Sequence, residues 1–187
     1  MVHSVELLLD PALDAAVREQ WAALEGAGVR NAGRHTGPSN RPHVTLAVAA
    51  RVPADREEVI AAAAAGVPRA TAATAAGVGA EPGLDLPLLL GGLVLFGHRD
   101  EFVLARLVVP SAELLELQRR VVAAVGDDGL GHVRPGEWTP HVTLGRRLRP
   151  PDVAAALAVP GLAAERRGTG VAVRRWDSEA RRDWVIA

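Results

Sequence analysis

The first third of the chain has an apolar and polar pattern that predicts a strand, a helix, a polar loop and a second strand. Residues 2–9 predict a strand, and Asp10 followed by a proline favours a helix start. The predicted helix has one apolar stripe, formed by Leu13, Val17, Trp21 and Leu24. After a polar loop at residues 31–41, residues 42–48 predict the second strand and residues 55–65 a second helix.

The second half of the chain repeats this order of elements. Residues 102–109 predict a strand, and Ser111 can cap a helix that has its own apolar stripe. That stripe is formed by Leu114, Leu117, Val121 and Val125. A glycine-rich loop at 126–136 precedes a strand at 139–144, and residues 151–159 predict a short helix. An order of elements that recurs at half the chain length predicts a fold of two related halves.

Several predicted elements fall outside this repeat. Residues 86–96 predict a strand that turns back to pair with residues 102–109, and residues 77–83 predict a loop. Residues 170–176 and 183–186 predict a closing hairpin. Three arginine pairs near the end of the chain are expected to face solvent, namely those at positions 166–167, 174–175 and 181–182.

Composition and charge narrow the class of protein. With 49% hydrophobic residues, the 187-residue chain can form a substantial core, so residues 1–187 are expected to be a single domain of two related lobes. The net charge of −1 argues against an overall positive surface potential that would attract long or double-stranded nucleic acid. Because no secretion signal and no membrane-spanning apolar run is apparent, a cytoplasmic location without a membrane partner is expected.

The absence of cysteine, lysine and tyrosine argues against several kinds of chemistry. Without cysteine the chain has no thiol nucleophile, no disulfide and no cysteine-ligated zinc. Without lysine it is poorly suited to Schiff-base catalysis, to a P-loop nucleotide site or to a ligase that forms a lysyl-nucleotide adduct. Without tyrosine, any base stacking would need one of the tryptophans or phenylalanines.

The pentapeptide Pro-His-Val-Thr-Leu occurs twice, at residues 42–46 and 140–144. Because side chains alternate along a strand, each copy has an apolar back and a polar front. The residues on the two polar fronts are His43, Thr45, His141 and Thr143. Two copies at matching places in a repeated order predict one shared site. The alternative is a duplicated structural strand whose polar side chains satisfy only local hydrogen bonds.

Two histidines and two threonines suit acid–base chemistry at phosphorus. Because an imidazole titrates near neutral pH, one ring can accept a proton from the incoming hydroxyl while the other donates one to the leaving oxygen. The threonine hydroxyls can donate hydrogen bonds to the non-bridging phosphate oxygens. This chemistry needs no metal and no cofactor, and a zinc site is disfavoured because the chain has no HExxH motif. His35 and His132, in the loops before the motif strands, are expected to be solvated and outside the site.

Two His-x-Thr-apolar motifs about a hundred residues apart resemble the two-histidine (2H) phosphoesterase superfamily, in particular its bacterial 2′-5′ RNA ligase and cyclic phosphodiesterase branch. The family's signature positions map onto the four residues named above. The resemblance implies an α+β fold of two pseudo-symmetric lobes, each a small, mainly antiparallel sheet with outer helices, facing across a central cleft. Arg41, before the first histidine, and Arg146, after the second motif, also match residues familiar in the family.

The resemblance implies a metal-independent phosphodiesterase that opens a cyclic phosphate of a nucleotide or RNA end to a 2′-phosphate. It also implies that His141 is the base and His43 the acid. Arg41 and Arg146 could hold phosphate and Trp138 could stack a base, whereas the structural alternatives are solvated arginines and a tryptophan packed between loop and sheet. The alternative functions are ATP-independent 2′-5′ RNA ligation and a non-catalytic module that binds nucleotides or RNA ends. A monomer is expected.

Overall fold

The structure, a computed structural model, describes residues 2–67, 84–126 and 133–187. These residues form the expected α+β fold, with a seven-stranded antiparallel sheet and four α-helices. The strands are β1 (His3–Leu9), β2 (His43–Ala49), β3 (Leu86–His98), β4 (Glu101–Val108), β5 (His141–Leu148), β6 (Arg166–Asp177) and β7 (Arg182–Val185). The helices are α1 (Pro11–Gly26), α2 (Glu57–Ala65), α3 (Ala112–Val125) and α4 (Pro150–Leu157). None of these helices is long and apolar enough to cross a membrane.

The strand order brings the two repeated motifs side by side. The strands are joined in the order β1-β2-β5-β4-β3-β6-β7, and β1 also pairs with β6. Strand β6 links the two halves, because residues 166–170 pair with β3 while residues 170–177 pair with β1. Strands β2 and β5, which carry the pentapeptides, meet at one bridge between Val44 and Val142. The halves are therefore joined at β6 and again at the motifs.

Both predicted helical stripes are buried. Asp10 caps α1 by accepting hydrogen bonds from the backbone N–H groups of Ala12 and Leu13, and Ser111 caps α3 by accepting one from Leu114. All eight stripe residues are at most 6% exposed. Helix α3 packs against β2 and α2. Helical periodicity therefore correctly predicts which face of each helix lies on the core.

The boundaries of several elements differ from the predictions; β5, for example, continues to Leu148 rather than ending at residue 144. The predicted helix at residues 55–65 is divided, because Ala54–Arg56 forms a 3₁₀ turn before α2. Strand β6 begins at Arg166 rather than residue 170, because its first residues pair with β3. The predicted loop at residues 77–83 and His132 lie outside the described residues.

The prediction that residues 174 and 175 face solvent is wrong. Arg174 and Arg175 are 2% and 6% exposed, whereas the other two arginine pairs are exposed as predicted. Arg174 donates hydrogen bonds to Glu6 and Asp183, at 2.7 and 2.9 Å, and Arg175 pairs with Glu57. A buried charge is costly unless it is paired with an opposite charge or hydrogen-bonded. The partners here come from β1, β7 and α2, which the local pattern does not reveal.

Arg106 on β4 is fully buried. Its guanidinium donates hydrogen bonds to four backbone carbonyl oxygens, those of Leu90, Gly91, Leu162 and Ala164. Burial and, after it, the charge of Arg166 lower the pKa of Arg106 from its ordinary value. The side chain connects β3 to the segment between α4 and β6, so it stabilises the second half of the sheet.

Replacing Arg106 tests this role. We expect Arg106→Met to lower the free energy of unfolding by about 3 kcal/mol or more, because buried carbonyl groups lose their donor. Arg119→Met, at a largely exposed side chain on α3, should change it by less than about 0.5 kcal/mol. Urea unfolding of both variants measures the difference. Equal effects would show that the hydrogen bonds of Arg106 do not stabilise the fold.

Candidate active site

The two pentapeptide strands present their histidines and threonines on one face. The apolar residues of the motifs are at most 1% exposed: Val44, Leu46, Val142 and Leu144. The polar residues between them are partly exposed: His43, Thr45, His141 and Thr143. The alternation predicted from the sequence is confirmed, and each motif has a buried back and an accessible front.

The bridge between β2 and β5 brings the four polar side chains together. In an antiparallel pair, the residue that precedes a bridged residue lies beside the residue that follows its partner on the other strand. The two side chains point to the same face of the sheet. His43 therefore lies next to Thr143, and Thr45 lies next to His141. Each histidine thus has the threonine of the other repeat as its neighbour.

Hydrogen bonds orient the two imidazoles in the same way. Nδ1 of His43 lies 2.7 Å from the carbonyl oxygen of Arg41, and Nδ1 of His141 lies 2.8 Å from that of Thr139. Because a carbonyl oxygen only accepts hydrogen bonds, each Nδ1 carries a hydrogen, and a neutral ring has its lone pair on Nε2. Phe96 on β3 also packs against the ring of His141, with centroids 4.7 Å apart.

Two tryptophans connect the repeats through backbone groups of the motifs. The indole N–H of Trp21, on α1, is donated to the carbonyl oxygen of Thr143 at 3.1 Å. That of Trp138 is donated to the carbonyl oxygen of Thr45 at 3.0 Å. Each tryptophan therefore holds the motif of the opposite half. Trp138 is packed against the core in this arrangement, and its stacking on a base stays a prediction.

Glu6, on β1, is a buried acid beside the first motif. Its Oε1 lies 3.5 Å from Nε2 of His43 and accepts a hydrogen bond from the Ser4 hydroxyl at 2.6 Å. Its Oε2 accepts a hydrogen bond from Arg174, which also donates to Asp183. Glu6 was not among the predicted site residues. The available signal was an acidic residue within the predicted strand at residues 2–9.

The environment keeps Glu6 ionised. Burial alone would raise the pKa of its carboxyl, but the charges of His43 and Arg174 and hydrogen bonds from Ser4 and Arg174 outweigh it and lower the pKa below the ordinary value of 4.5. A carboxyl whose pKa is lowered by folding stabilises the folded protein at pH values above its ordinary pKa. That stability is lost as the pH falls through the pKa of the folded state. Glu6 is therefore a carboxylate throughout the neutral range.

A cleft of about 580 Å³ opens beside the bridge. Its lining includes His43 and Thr143, and five arginines: Arg30, Arg34, Arg41, Arg146 and Arg147. The two predicted phosphate ligands, Arg41 and Arg146, thus share a cleft with one polar residue from each motif. Thr45 and His141 lie at the other side of the bridge.

Some cleft residues were not predicted. His35 is exposed, as expected. It was expected to lie outside the site, but it lines the cleft. Arg30, Arg34 and Arg147 also line it. Arg147 could have been found because it directly follows Arg146, and the other two because they lie in or beside the polar loop before the first motif. The sequence does not reveal that these three arginines share a cleft with Thr143.

One further cluster could in principle hold a metal. Within the described residues, His3, Asp177 and Glu179 have ligand atoms within 4.8 Å of one another. His3 lies at the opposite end of β1 from the residue that faces His43. Arg175 has Nη2 3.2 Å from Nδ1 of His3, and its charge would repel a cation. We therefore assign no metal to this cluster.

Comparison with protein families identifies the class of protein. The model of the 2′-5′ RNA ligase superfamily matches residues 12–179, which include both pentapeptides. The chain belongs to this superfamily, and the resemblance to two-histidine phosphoesterases is confirmed. Among curated protein sequences, none matches the chain.

Two solved structures show the same fold. One, described as a phosphoesterase, has a TM-score of 0.53 and 17% sequence identity, and the match covers 98% of this chain and 92% of that chain. The other, the protein TT0787 of Thermus thermophilus, has a TM-score of 0.56 and 20% identity, over 100% of this chain and 96% of that chain. At these identities the likeness supports the fold and nothing finer.

Proposed function

We propose that the protein is a metal-independent phosphodiesterase that opens the 2′,3′-cyclic phosphate of a nucleotide or RNA end to a 2′-phosphate. The observation that carries this proposal is the pair of histidines beside one strand bridge, each donating Nδ1–H to a carbonyl oxygen. Each ring can then accept or donate a proton at Nε2. Membership of the 2′-5′ RNA ligase superfamily supports chemistry at a phosphate ester.

The proposed reaction is an in-line displacement. Nε2 of His141 takes a proton from water as the water oxygen forms a bond to phosphorus. The bond from phosphorus to O3′ breaks, and Nε2 of His43 gives its proton to O3′, so the phosphate stays on O2′. The hydroxyls of Thr45 and Thr143 donate hydrogen bonds to the non-bridging oxygens, where negative charge increases. Exchange of protons with solvent then restores both rings.

The buried cluster around Glu6 supports His43 as the acid. Glu6 and Asp183 are negative and Arg174 is positive, so these three side chains together carry one negative charge. A protonated His43, 3.5 Å from Glu6, makes the cluster neutral. A neutral ring would leave a largely buried negative charge without compensation, which is unfavourable. We therefore propose that His43 acts as the acid and His141 as the base.

Superfamily membership also favours a second candidate, ligation of RNA through a 2′-5′ linkage. In that reaction the 5′-hydroxyl of another RNA end replaces water as the nucleophile at the same phosphorus. A binding module without turnover would keep the same site and form no product. Product analysis therefore separates the three functions.

Substitution of the motif residues tests the proposed site. We expect His43→Ala and His141→Ala each to reduce kcat for hydrolysis of a 2′,3′-cyclic nucleotide by about 10²- to 10⁴-fold, because each removes a proton-transfer group. Thr45→Val and Thr143→Val should reduce it by about 10- to 10³-fold, because each removes a donor to the transition state. Chromatography of the products should show a 2′-phosphate.

Two controls make this result specific. Thr169→Val changes a partly exposed threonine on β6, away from the motifs, and should leave kcat within about twofold of the parent. The assay in EDTA should proceed at the same rate as without it. Activity that EDTA abolishes and zinc restores would contradict the proposed mechanism, as would full activity in either histidine variant.

The proposed role of Glu6 predicts a change in pH dependence. Because the pKa of Glu6 is lowered, Glu6→Gln removes a negative charge beside His43 at every pH of the assay. We expect the alkaline limb of the kcat/KM profile, where the acid loses its proton, to move to lower pH. KM at the acidic side of the profile should change little.

A matched variant distinguishes this effect from a general loss of charge. Glu116 on α3 pairs with Arg119 and Arg120, outside the cleft. Glu116→Gln removes the same charge and should leave the pH profile unmoved. An unmoved profile in Glu6→Gln, or the same movement in both variants, would rule out Glu6 as the residue that sets the acid role of His43.

A further inference from the structure

The ring of His141 packs against an aromatic side chain from a strand two places away in the sheet. Phe96 lies on β3, and β4 separates that strand from β5, which carries His141. The centroids of the two rings are 4.7 Å apart and their planes are inclined at 52°. This separation is a direct contact between aromatic rings. The phenyl ring of Phe96 therefore touches the imidazole that acts as the base in the proposed mechanism.

Strand register places Phe96 on the same face as the polar residues of the second motif. Thr143 lies opposite Ala105 on β4, and Ala105 lies opposite Val94 on β3. Side chains of residues that lie opposite one another point to the same face of the sheet, as do those two positions apart on one strand. Phe96 follows Val94 by two positions and His141 precedes Thr143 by two, so both rings lie on this face. The small side chain of Ala105 leaves room for Phe96 to reach across β4.

Two contacts of different kinds act on the His141 ring. The hydrogen bond from Nδ1 to the carbonyl oxygen of Thr139, at 2.8 Å, fixes the position of one nitrogen. Because a hydrogen bond tolerates a range of angles, it leaves the plane of the ring free to tilt and so to move Nε2. A phenyl ring in contact with the imidazole limits this tilt by steric exclusion. Together the two contacts hold Nε2 of His141 in one direction.

The two histidines have neighbours of different chemistry. His43 has the carboxylate of Glu6 3.5 Å from its Nε2, and a carboxylate favours the protonated ring. Phe96 is uncharged, so it can restrain His141 without that preference for the protonated ring. Phe96 also comes from β3, which lies outside the repeated order of elements. The restraint on His141 is therefore an addition to the second half of the fold rather than a part of the repeat.

We propose that Phe96 is a positioning residue for His141. It holds the imidazole so that Nε2 faces the attacking water while Nδ1 stays bonded to Thr139. The effect on rate rests on the proposed function, because that function makes His141 the base. Phe96 exchanges no proton and acts through His141 alone. Misplacing a catalytic group by about 1 Å can lower a rate by about 100-fold, so a loosely held imidazole should be a poorer base.

Replacing Phe96 with leucine removes the flat ring but keeps an apolar side chain. We expect Phe96→Leu to lower kcat for a 2′,3′-cyclic nucleotide by about 10-fold or more, and to leave KM within about threefold of the parent. Phe102→Leu is the matched control. Phe102 is the other phenylalanine of the chain, is also partly exposed, and follows on the opposite face of the same hairpin, across from Gly97. The control should keep kcat within about twofold of the parent.

The position of the His141 ring can also be measured without any turnover. In ¹⁵N NMR spectra of the protein with neutral histidines, we expect the hydrogen of His141 to lie on Nδ1 in the parent. In Phe96→Leu the hydrogen bond to Thr139 should weaken, so the Nδ1 and Nε2 signals of His141 should move toward each other as the two tautomers mix. The signals of His43 should stay unchanged, which also shows that the variant is folded. Phe102→Leu should leave both rings as in the parent.

A double-mutant cycle separates action through His141 from a general effect on the site. If Phe96 acts only by holding His141, Phe96→Leu should change the residual rate of the His141→Ala variant by less than about twofold. It should still lower the rate of the Thr143→Val variant by about the same factor as in the parent. A full further loss in the His141→Ala background would show that Phe96 does not act through His141.

The remaining outcomes distinguish this inference from the proposed function. Unchanged kcat in Phe96→Leu, equal losses in Phe96→Leu and Phe102→Leu, or a rise in KM alone would overturn the positioning role while the phosphodiesterase function stands. If the parent turns over no cyclic phosphate, the proposed function fails. The NMR comparison then still tests the restraint, and a His141 ring that keeps its hydrogen on Nδ1 in Phe96→Leu would overturn it.

Discussion

A single antiparallel bridge between Val44 and Val142 is the constraint around which the site is arranged. The sheet supports this bridge from both sides, because β1 pairs with β2 and β4 pairs with β5. Trp21 and Trp138 reinforce it, since each donates its indole N–H to a threonine carbonyl of the opposite motif. The polar fronts of the two repeats are therefore held together by backbone contacts that do not depend on a substrate.

The two halves share a backbone arrangement but differ in what surrounds each motif. On β1, Glu6 lies opposite Thr45, whereas Ala105 occupies the corresponding place opposite Thr143 on β4. The first motif thus has a buried carboxylate beside its histidine, and the second continues into an arginine-lined cleft. In the proposed mechanism the repeat supplies two matching proton-transfer groups. The differences between the halves then give one histidine the role of acid and orient the substrate.

Much of the fold and part of the candidate site could be predicted from the sequence, because both depend on local periodicity. The helical stripes of α1 and α3 and the polar fronts of the two motifs follow from spacing alone. The positions of Glu6 and Arg174 could not be predicted, because their burial depends on strands that are about 170 residues apart. The cleft position of Arg147 depends on one unusual backbone angle. Periodicity predicts which face of a helix or strand is buried. Strand pairing and unusual backbone angles decide which faces lie against each other, and these are not visible in the local pattern.

The proposed mechanism requires that His43 and His141 act on one phosphate. The most direct measurement is a ¹⁵N NMR titration of the histidine rings with a nucleoside 2′-phosphate, the product of the proposed reaction. We expect both rings to carry hydrogen on Nδ1 when neutral, and both Nε2 signals to shift with the same dissociation constant. A shift confined to one ring, or two shifts that saturate at different concentrations, would contradict a shared site.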